Sequence, residues 1–211
     1  MNYLAHLLLA GEDSEFQLGN LLGDFVKGPL SEAKHHYSST LVQGLALHRA
    51  VDKFTDTHPI PLHSRRRLGQ PYQRLSGIII DIAYDHFLAN HWHNFSLQPL
   101  DSFIAEIYHL LQANQHRLPL RLKQSLPRMV AQDWLGSCQT LEGLKLTYTR
   151  VANRLKRKNN LSTADRVIHA NYEGLDSDFC EFFPQLVDYV EGKKPDRTAV
   201  SKGISGTDDP C

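Results

Sequence analysis

Three cysteines in 211 residues, Cys138, Cys180 and Cys211, are too scattered for a disulfide framework, and no C-x-x-C pair is present to bind zinc. The usage fits a reducing compartment, and the expected location is cytoplasmic. Neither sign of charge is in excess, with 23 Lys and Arg against 23 Asp and Glu. That balance leaves no global basic field of the kind that draws proteins to nucleic acid, so no nucleic-acid partner is expected. Long apolar runs are also missing. The run from Tyr3 to Ala10 is far shorter than the roughly 20 residues a membrane helix needs, and no positive stretch precedes it as in a signal peptide. No membrane partner is expected. Useful β-alternation, a Gly-rich phosphate loop, a G-x-S-x-G elbow and internal repeats are absent as well. What remains is helical periodicity, which predicts an all-α, single-domain helical bundle over residues 1–190. Residues 191–211, rich in Gly, Lys, Ser, Asp and Pro, carry no core-forming pattern and are expected to be a disordered tail.

The most informative stretch present is Asp81 to Trp92. On a helix, Asp81 and Asp85 share one stripe with Leu88 and Trp92, while Ile82, His86 and Ala89 form the next. Two carboxylates four residues apart repel, and apolar company adds a desolvation cost. A divalent cation would resolve both.

Upstream, Tyr3 to Ala10 is a short apolar helix interrupted by His6, which is either a ligand or a core histidine satisfied by one hydrogen bond. Leu18, Leu21, Leu22, Phe25 and Val26 follow half-buried helical spacing, with Asp24 beside the stripe. Glycines 19, 23 and 28 cost up to about 1 kcal/mol each relative to alanine in a helix, a cost that makes sense where something packs closely. After a polar loop from Ser31 to Thr40, the helix Leu41 to Asp56 sets His48 and Asp52 four apart. Such a pair can bind one cation together, or the Asp can orient a neighbouring imidazole. Beyond Trp92 the segments 100–111, 126–135, 141–155 and 171–189 read as structural helices, with Pro127 and Pro184 as breaks or kinks.

Four blocks, Asn2-Tyr3-Leu4-Ala5-His6, Gly19 to Val26, Gly44 to Asp52 with Thr55-Asp56, and Asp81 with Asp85 to Leu88 and His91-Trp92, resemble in order and spacing the bacterial acyl carrier protein phosphodiesterases. That family is similar to a rearranged form of the HD metal-dependent phosphohydrolases. The resemblance implies an all-helical enzyme using a divalent metal, preferably Mn2+, to remove 4'-phosphopantetheine from holo-acyl carrier protein. It implies Asp24, His48, Asp85 and His86 as the metal set, with His6, Asp52 and His91 close by; Asp81, on the Asp85 stripe, is a further orienting group or possible ligand. Asp24, Asp52 and His91 are the expected proton-handling or orienting groups. Mixed imidazole and carboxylate donors suit Mn2+, Fe2+ or Zn2+ and leave Mg2+ less favoured, with one or two ions both open. Two rival functions stay on the table: a phosphohydrolase for nucleotides or other small phosphoesters, and a non-enzymatic helical adaptor.

Because the chain has no net charge, an acidic carrier protein must be met by a local patch. The densest one is Arg65-Arg66-Arg67, followed by Arg74 just ahead of the Asp81 helix. These four are expected to bind the substrate protein, and the run Arg154 to Lys158 is read mainly as solvated surface.

Overall fold

The computed structural model describes residues 1–193, and among them every regular element is helical. In chain order the helices are α1 (Tyr3–Leu9), α2 (Ser14–Leu22), α3 (Leu30–Ala33), α4 (Ser39–Thr57), α5 (Pro59–Arg67) and α6 (Ser76–Asn90). They continue with α7 (Leu100–Ala113), α8 (Leu120–Ala131), α9 (Leu141–Arg154), α10 (Ala164–Ala170) and α11 (Tyr172–Glu191), joined in places by short 3-10 turns.

Helix α6 lies at the centre. Ile79, Ile80, Ala83, Tyr84, Phe87 and Leu88 are inaccessible to solvent on one half of its circumference, and Ile82, Asp85, His86 and Ala89 are buried on the other. A helix buried on every side must be enclosed, and α1, α5, α9 and α11 pack around it. Its polar groups then need internal partners. The Tyr84 hydroxyl meets Ser64 Oγ at 2.8 Å, and the Tyr148 hydroxyl of α9 donates to the Ile79 carbonyl at 2.9 Å. The buried apolar residues form one continuous core running through all the long helices.

The most extensive pairing joins α2 to α4. A Cβ on Gly19 would stand 2.1 Å from the Leu41 carbonyl oxygen, and one on Gly44 would stand 2.3 Å from that of Phe16. The two helices therefore touch backbone to backbone, and glycine is required on both sides. Further along, a Cβ on Gly23 would fall 2.1 Å from His48 Cγ, so that glycine makes the space the imidazole fills.

Local side-chain caps set some of the helix starts. Asp13 accepts the Phe16 N–H for α2, Ser38 that of Leu41 for α4, and Thr140 that of Gly143 for α9. Helix α1 has no side-chain cap of its own from Asn2. Its first N–H groups are taken by Asp85 of α6 instead, at 2.8 Å from Leu4 N and 3.1 Å from Ala5 N.

Several boundaries depart from the sequence reading. The expected loop 31–40 contains the short α3, and the Arg65–Arg67 run is the C-terminal turn of α5. Pro127 and Pro184 lie inside α8 and α11 without ending either helix. Helix α8 starts at Leu120, one residue past Pro119, so the expected 126–135 helix is shifted toward the N-terminus. Apart from Glu191 to Lys193, the expected tail lies outside the described residues.

Candidate metal centre

Helix α4 puts His48 and Asp52 on one face, one turn apart, and α1 lays His6 against them. The His6 and His48 rings stack with centroids 4.0 Å apart. Both are buried, at 1% and 3% exposure. His6 Nε2 lies 3.1 Å from Asp52 Oδ1, and His48 Nε2 lies 3.2 Å from Asp52 Oδ2, so one carboxylate is clasped by two imidazoles. Asp24, on the turn after α2, brings Oδ1 to 3.8 Å from His48 Nε2. On the other side the Met1 ammonium sits 3.7 Å from Asp52 Oδ1 and 3.1 Å from Asp81 Oδ1. The imidazoles form the buried wall, while the Asp24 and Asp52 side chains, 47% and 42% exposed, form the mouth.

Charge states follow from this packing. Burial works against the Asp52 anion, but its contacts with His48 and His6 and the nearby Met1 ammonium outweigh it and hold the carboxyl well below the ordinary range. Burial lowers the His6 pKa, and the neighbouring His48 and Met1 charges push the same way against the pull of Asp52. For the Met1 ammonium, burial is overcome by Asp81 and Asp52, and its pKa is raised.

The donor set fits a cation. Asn20, fully buried on α2, turns Oδ1 to His6 Nδ1 at 3.1 Å. An oxygen acceptor there calls for the proton on Nδ1, which leaves the Nε2 lone pair facing the Asp52 carboxylate. Two acceptors at 3.1 Å need a positive charge between or beside them, and burial disfavours a second imidazole proton. His48 Nδ1 and Asn20 Nδ2 are buried with no hydrogen-bond partner among the described residues, a further sign of unspent polar capacity. His6, His48 and Asp52 each offer a ligand atom, all within 4.8 Å of one another.

Asp85 and His86 are not brought to this cluster. Successive residues on a helix point about 100° apart, and these two diverge accordingly. Both Asp85 oxygens are spent on the α1 backbone. Burial pushes the Asp85 carboxyl up to about 7, against the downward pull of those two N–H donors and the Met1 ammonium. His86 turns the other way, with Nδ1 at 2.7 Å from the Cys138 carbonyl oxygen and Nε2 at 2.9 Å from the Tyr172 hydroxyl. Asn90 Nδ2 adds a contact to Nε2 at 3.0 Å, so neither ring nitrogen is free. His91, past the end of α6, pairs with Asp176 Oδ1 of α11 at 2.7 Å and stands apart from His48 and Asp52. With Asp176 and Cys180 it forms a separate, more exposed group of potential ligands.

The expected docking arginines are also divided. Arg65 pairs with Asp56, and Arg67 clasps the buried Asp178 through Nε at 2.9 Å and Nη2 at 3.2 Å. Ser64 donates to the same carboxylate at 2.7 Å, so Arg67 is structural. Arg66 and Arg74 are exposed and make no ion pair among the described residues. Arg74 faces Lys156, Arg157 and Lys158 across a 330 Å³ cavity, joining two basic runs far apart in sequence.

Asn20 and the Met1 nitrogen escaped the sequence reading. Asn20 left a signal, being an amide inside the apolar stripe from Leu18 to Leu22, where a buried polar group needs a purpose. The Met1 contact left none, because it depends on how α1 docks on α6.

A family model described as acyl carrier protein phosphodiesterase matches residues 1–186. Curated relatives carrying that name include those of Photorhabdus laumondii, 33% identical over 92% of this chain and 96% of the relative, and Yersinia pestis, 31% identical over 92% of this chain and all of the relative. The relative from Serratia proteamaculans is 31% identical, again over 92% of this chain and its own full length. No solved structure matches. No described helix is long and apolar enough to cross a membrane. Matched from its first residue through most of α11, the chain belongs to the acyl carrier protein phosphodiesterase family.

Proposed function

We propose that this chain hydrolyses the phosphodiester of holo-acyl carrier protein, releasing 4'-phosphopantetheine and apo-acyl carrier protein. The divalent cation this needs would be held by His6, His48 and Asp52, with Asp24 at the mouth. The observation that carries the site is the clasp of Asp52 between His6 Nε2 and His48 Nε2 at 3.1 and 3.2 Å. When bound, a divalent cation would supply charge compensation on the phosphoryl oxygens and a more acidic water; imidazole with carboxylate suits manganese, iron or zinc better than magnesium.

The chain's own residues do the rest. Asn20 fixes the His6 tautomer and turns the ring's free nitrogen to the site. Gly23 lets His48 lie flat against α2, which sets where its Nε2 points. Asp24, the solvent-facing carboxylate outside the clasp, is placed to orient an attacking water and accept its proton, while Asp52, held anionic, helps to orient it.

The test is incubation of holo-acyl carrier protein with the protein and Mn2+, read by mass spectrometry for loss of the prosthetic group. The wild-type chain should convert it. His48→Ala and Asp52→Asn should lose bound metal, counted per chain by elemental analysis, and should lose turnover in parallel. Full metal content and turnover in both variants would remove the site from this helix pair. Turnover of nucleoside phosphates with none on the carrier protein would move the chain to a different substrate class.

A further inference from the structure

Arginines that fold without an acidic partner mark a surface waiting for one. Helix α8 presents Arg121 and Arg128 seven residues apart on one face, and α9 presents Arg150 and Arg154 at helical spacing on the face opposite. Between them lies Trp134. The Arg128 and Arg150 guanidinium groups sit 5.5 and 5.3 Å from its ring centroid, a cation–π arrangement that holds both heads in the groove. The groove comprises two adjoining cavities, of 310 and 700 Å³, sharing Arg128, Trp134 and Arg154. Among the described residues none of the four arginines has a carboxylate within ion-pair distance. Arg150 Nη1 is buried with no hydrogen-bond partner among those residues, and burial together with nearby Arg128 lowers its pKa.

One end of this groove reaches the candidate metal centre. Tyr3 and Arg154 line it together, and burial with the charge of Asp24 raises the Tyr3 hydroxyl pKa against the opposing charge of Arg154. Phe25, the residue after Asp24, stacks against Tyr3 at 6.5 Å and walls the same cavity. The basic groove and the mouth of the site are thus neighbours through α1.

We infer that this arginine groove between α8 and α9 is the docking surface for the acidic carrier protein, which lays a segment carrying several carboxylates across it. The inference rests on the proposed substrate and names where that substrate is gripped. Four cations spread over two helices suit an extended, multiply charged segment better than one phosphate, which a single pair of arginines would satisfy. Trp134 beneath them offers an apolar face that a helix edge can cover.

The experiment separates docking from chemistry by using apo-acyl carrier protein, which binds without being hydrolysed. Binding is measured at low and physiological salt for the wild-type chain, for R128E/R154E, and for a matched reversal, K123E/K145E, at exposed positions outside the groove. The arginine reversal should weaken binding at least about tenfold at low salt, with a smaller gap as salt rises, and the matched reversal should change it little. Turnover of bis(p-nitrophenyl) phosphate should be unchanged in R128E/R154E, while kcat/KM on holo-acyl carrier protein falls with binding. Equal binding by wild type and R128E/R154E, no binding by wild type, or an equal loss on the small diester would each overturn the inference. Should R128E/R154E lose its helical circular dichroism, R150Q, which removes a single unpaired charge, takes its place with a weakening of about threefold expected. Wild-type binding without release of the prosthetic group from holo-carrier would overturn the proposed function and leave the groove standing.

Discussion

Replacing Asp85 by alanine tests whether this carboxylate holds a metal or holds a helix. Its oxygens lie 2.8 and 3.1 Å from the Leu4 and Ala5 nitrogens, and the side chain is 2% exposed. Alanine strands two buried N–H donors, at about 1–3 kcal/mol each. The variant also removes a carboxyl whose burial is itself unfavourable, which offsets part of that loss. A net destabilisation of about 3 kcal/mol follows, equivalent to a fall in Tm of about 6–12 °C for a domain of this size. Asparagine keeps one acceptor but sets an NH2 group against the second N–H, so it should recover less than half. The assay is urea denaturation followed by circular dichroism, with activity measured well below the transition. Since α1 carries His6, turnover should fall in proportion to how far α1 loosens and should recover in part at low temperature. An Asp85→Ala protein as stable as wild type to within about 0.5 kcal/mol, yet without metal or activity, would refute the anchoring argument and return Asp85 to the ligand set.

Other outcomes follow from the same contacts. Gly23→Ala should displace the His48 ring and cut metal affinity and turnover by roughly 10- to 100-fold, as expected when a ligand loses its orienting support; an unaffected enzyme would show that the ring position is not critical. Glu15 is chelated by Arg117 and accepts from Ser38, contacts that outweigh burial and lower its pKa below the ordinary 4.5. Its contribution is therefore complete above that value and lost as pH falls through the lower folded value. The gap between wild type and Glu15→Gln, about 1 kcal/mol in urea titrations near neutrality, should close in acid, and a gap independent of pH would contradict the assignment. Arg67→Glu should lower stability by about 3–5 kcal/mol, because it leaves Asp178 buried and unpaired; a stable variant with weakened carrier binding would restore Arg67 to the docking surface.

Helical periodicity was enough to find α4, α7, α9 and α11 to within two residues, because each has a continuous apolar face, whereas α6, read from Asp81, starts at Ser76. Helices α5 and α10 were less legible. The first is short and mostly polar, with mean burial resting on Pro61 and Ser64, and the second buries only Ala164 and Ile168. The prolines misled because a helix interior tolerates one where its missing donor is not needed by a buried carbonyl.

The site was legible where its geometry is local. His48 and Asp52 are one turn apart, and that spacing alone places them on one face. The convergence of His6 on them depends on the glycine contact between α2 and α4 and on the seating of α1, neither of which has a sequence period. Asp85 and His86, grouped with His48 by the family resemblance, point to different neighbours because consecutive helix positions diverge by about 100°. Arg154 reads from sequence as solvated surface, yet its helix face is half of the basic groove. A run of like charge is uninformative until the facing helix is known.

The carboxylates of α6 thus act on the candidate centre from behind. Asp81 holds the Met1 ammonium, Asp85 holds the first turn of α1, and α1 in turn presents His6 to Asp52. Anchor and ligand are distinguishable by linkage: a cation that binds only the folded chain raises its stability by about 2.7 kcal/mol at a hundredfold excess over Kd. Wild type should melt higher in the presence of Mn2+. Asp85→Ala should start from a lower Tm and still rise with the metal, because its ligands remain on α1 and α4. His48→Ala, which empties a buried space, should also start lower but gain nothing with the metal. If Asp85→Ala were the variant blind to manganese and His48→Ala the one that responds, the metal would lie on α6, and the clasp around Asp52 would be a structural hydrogen-bond network.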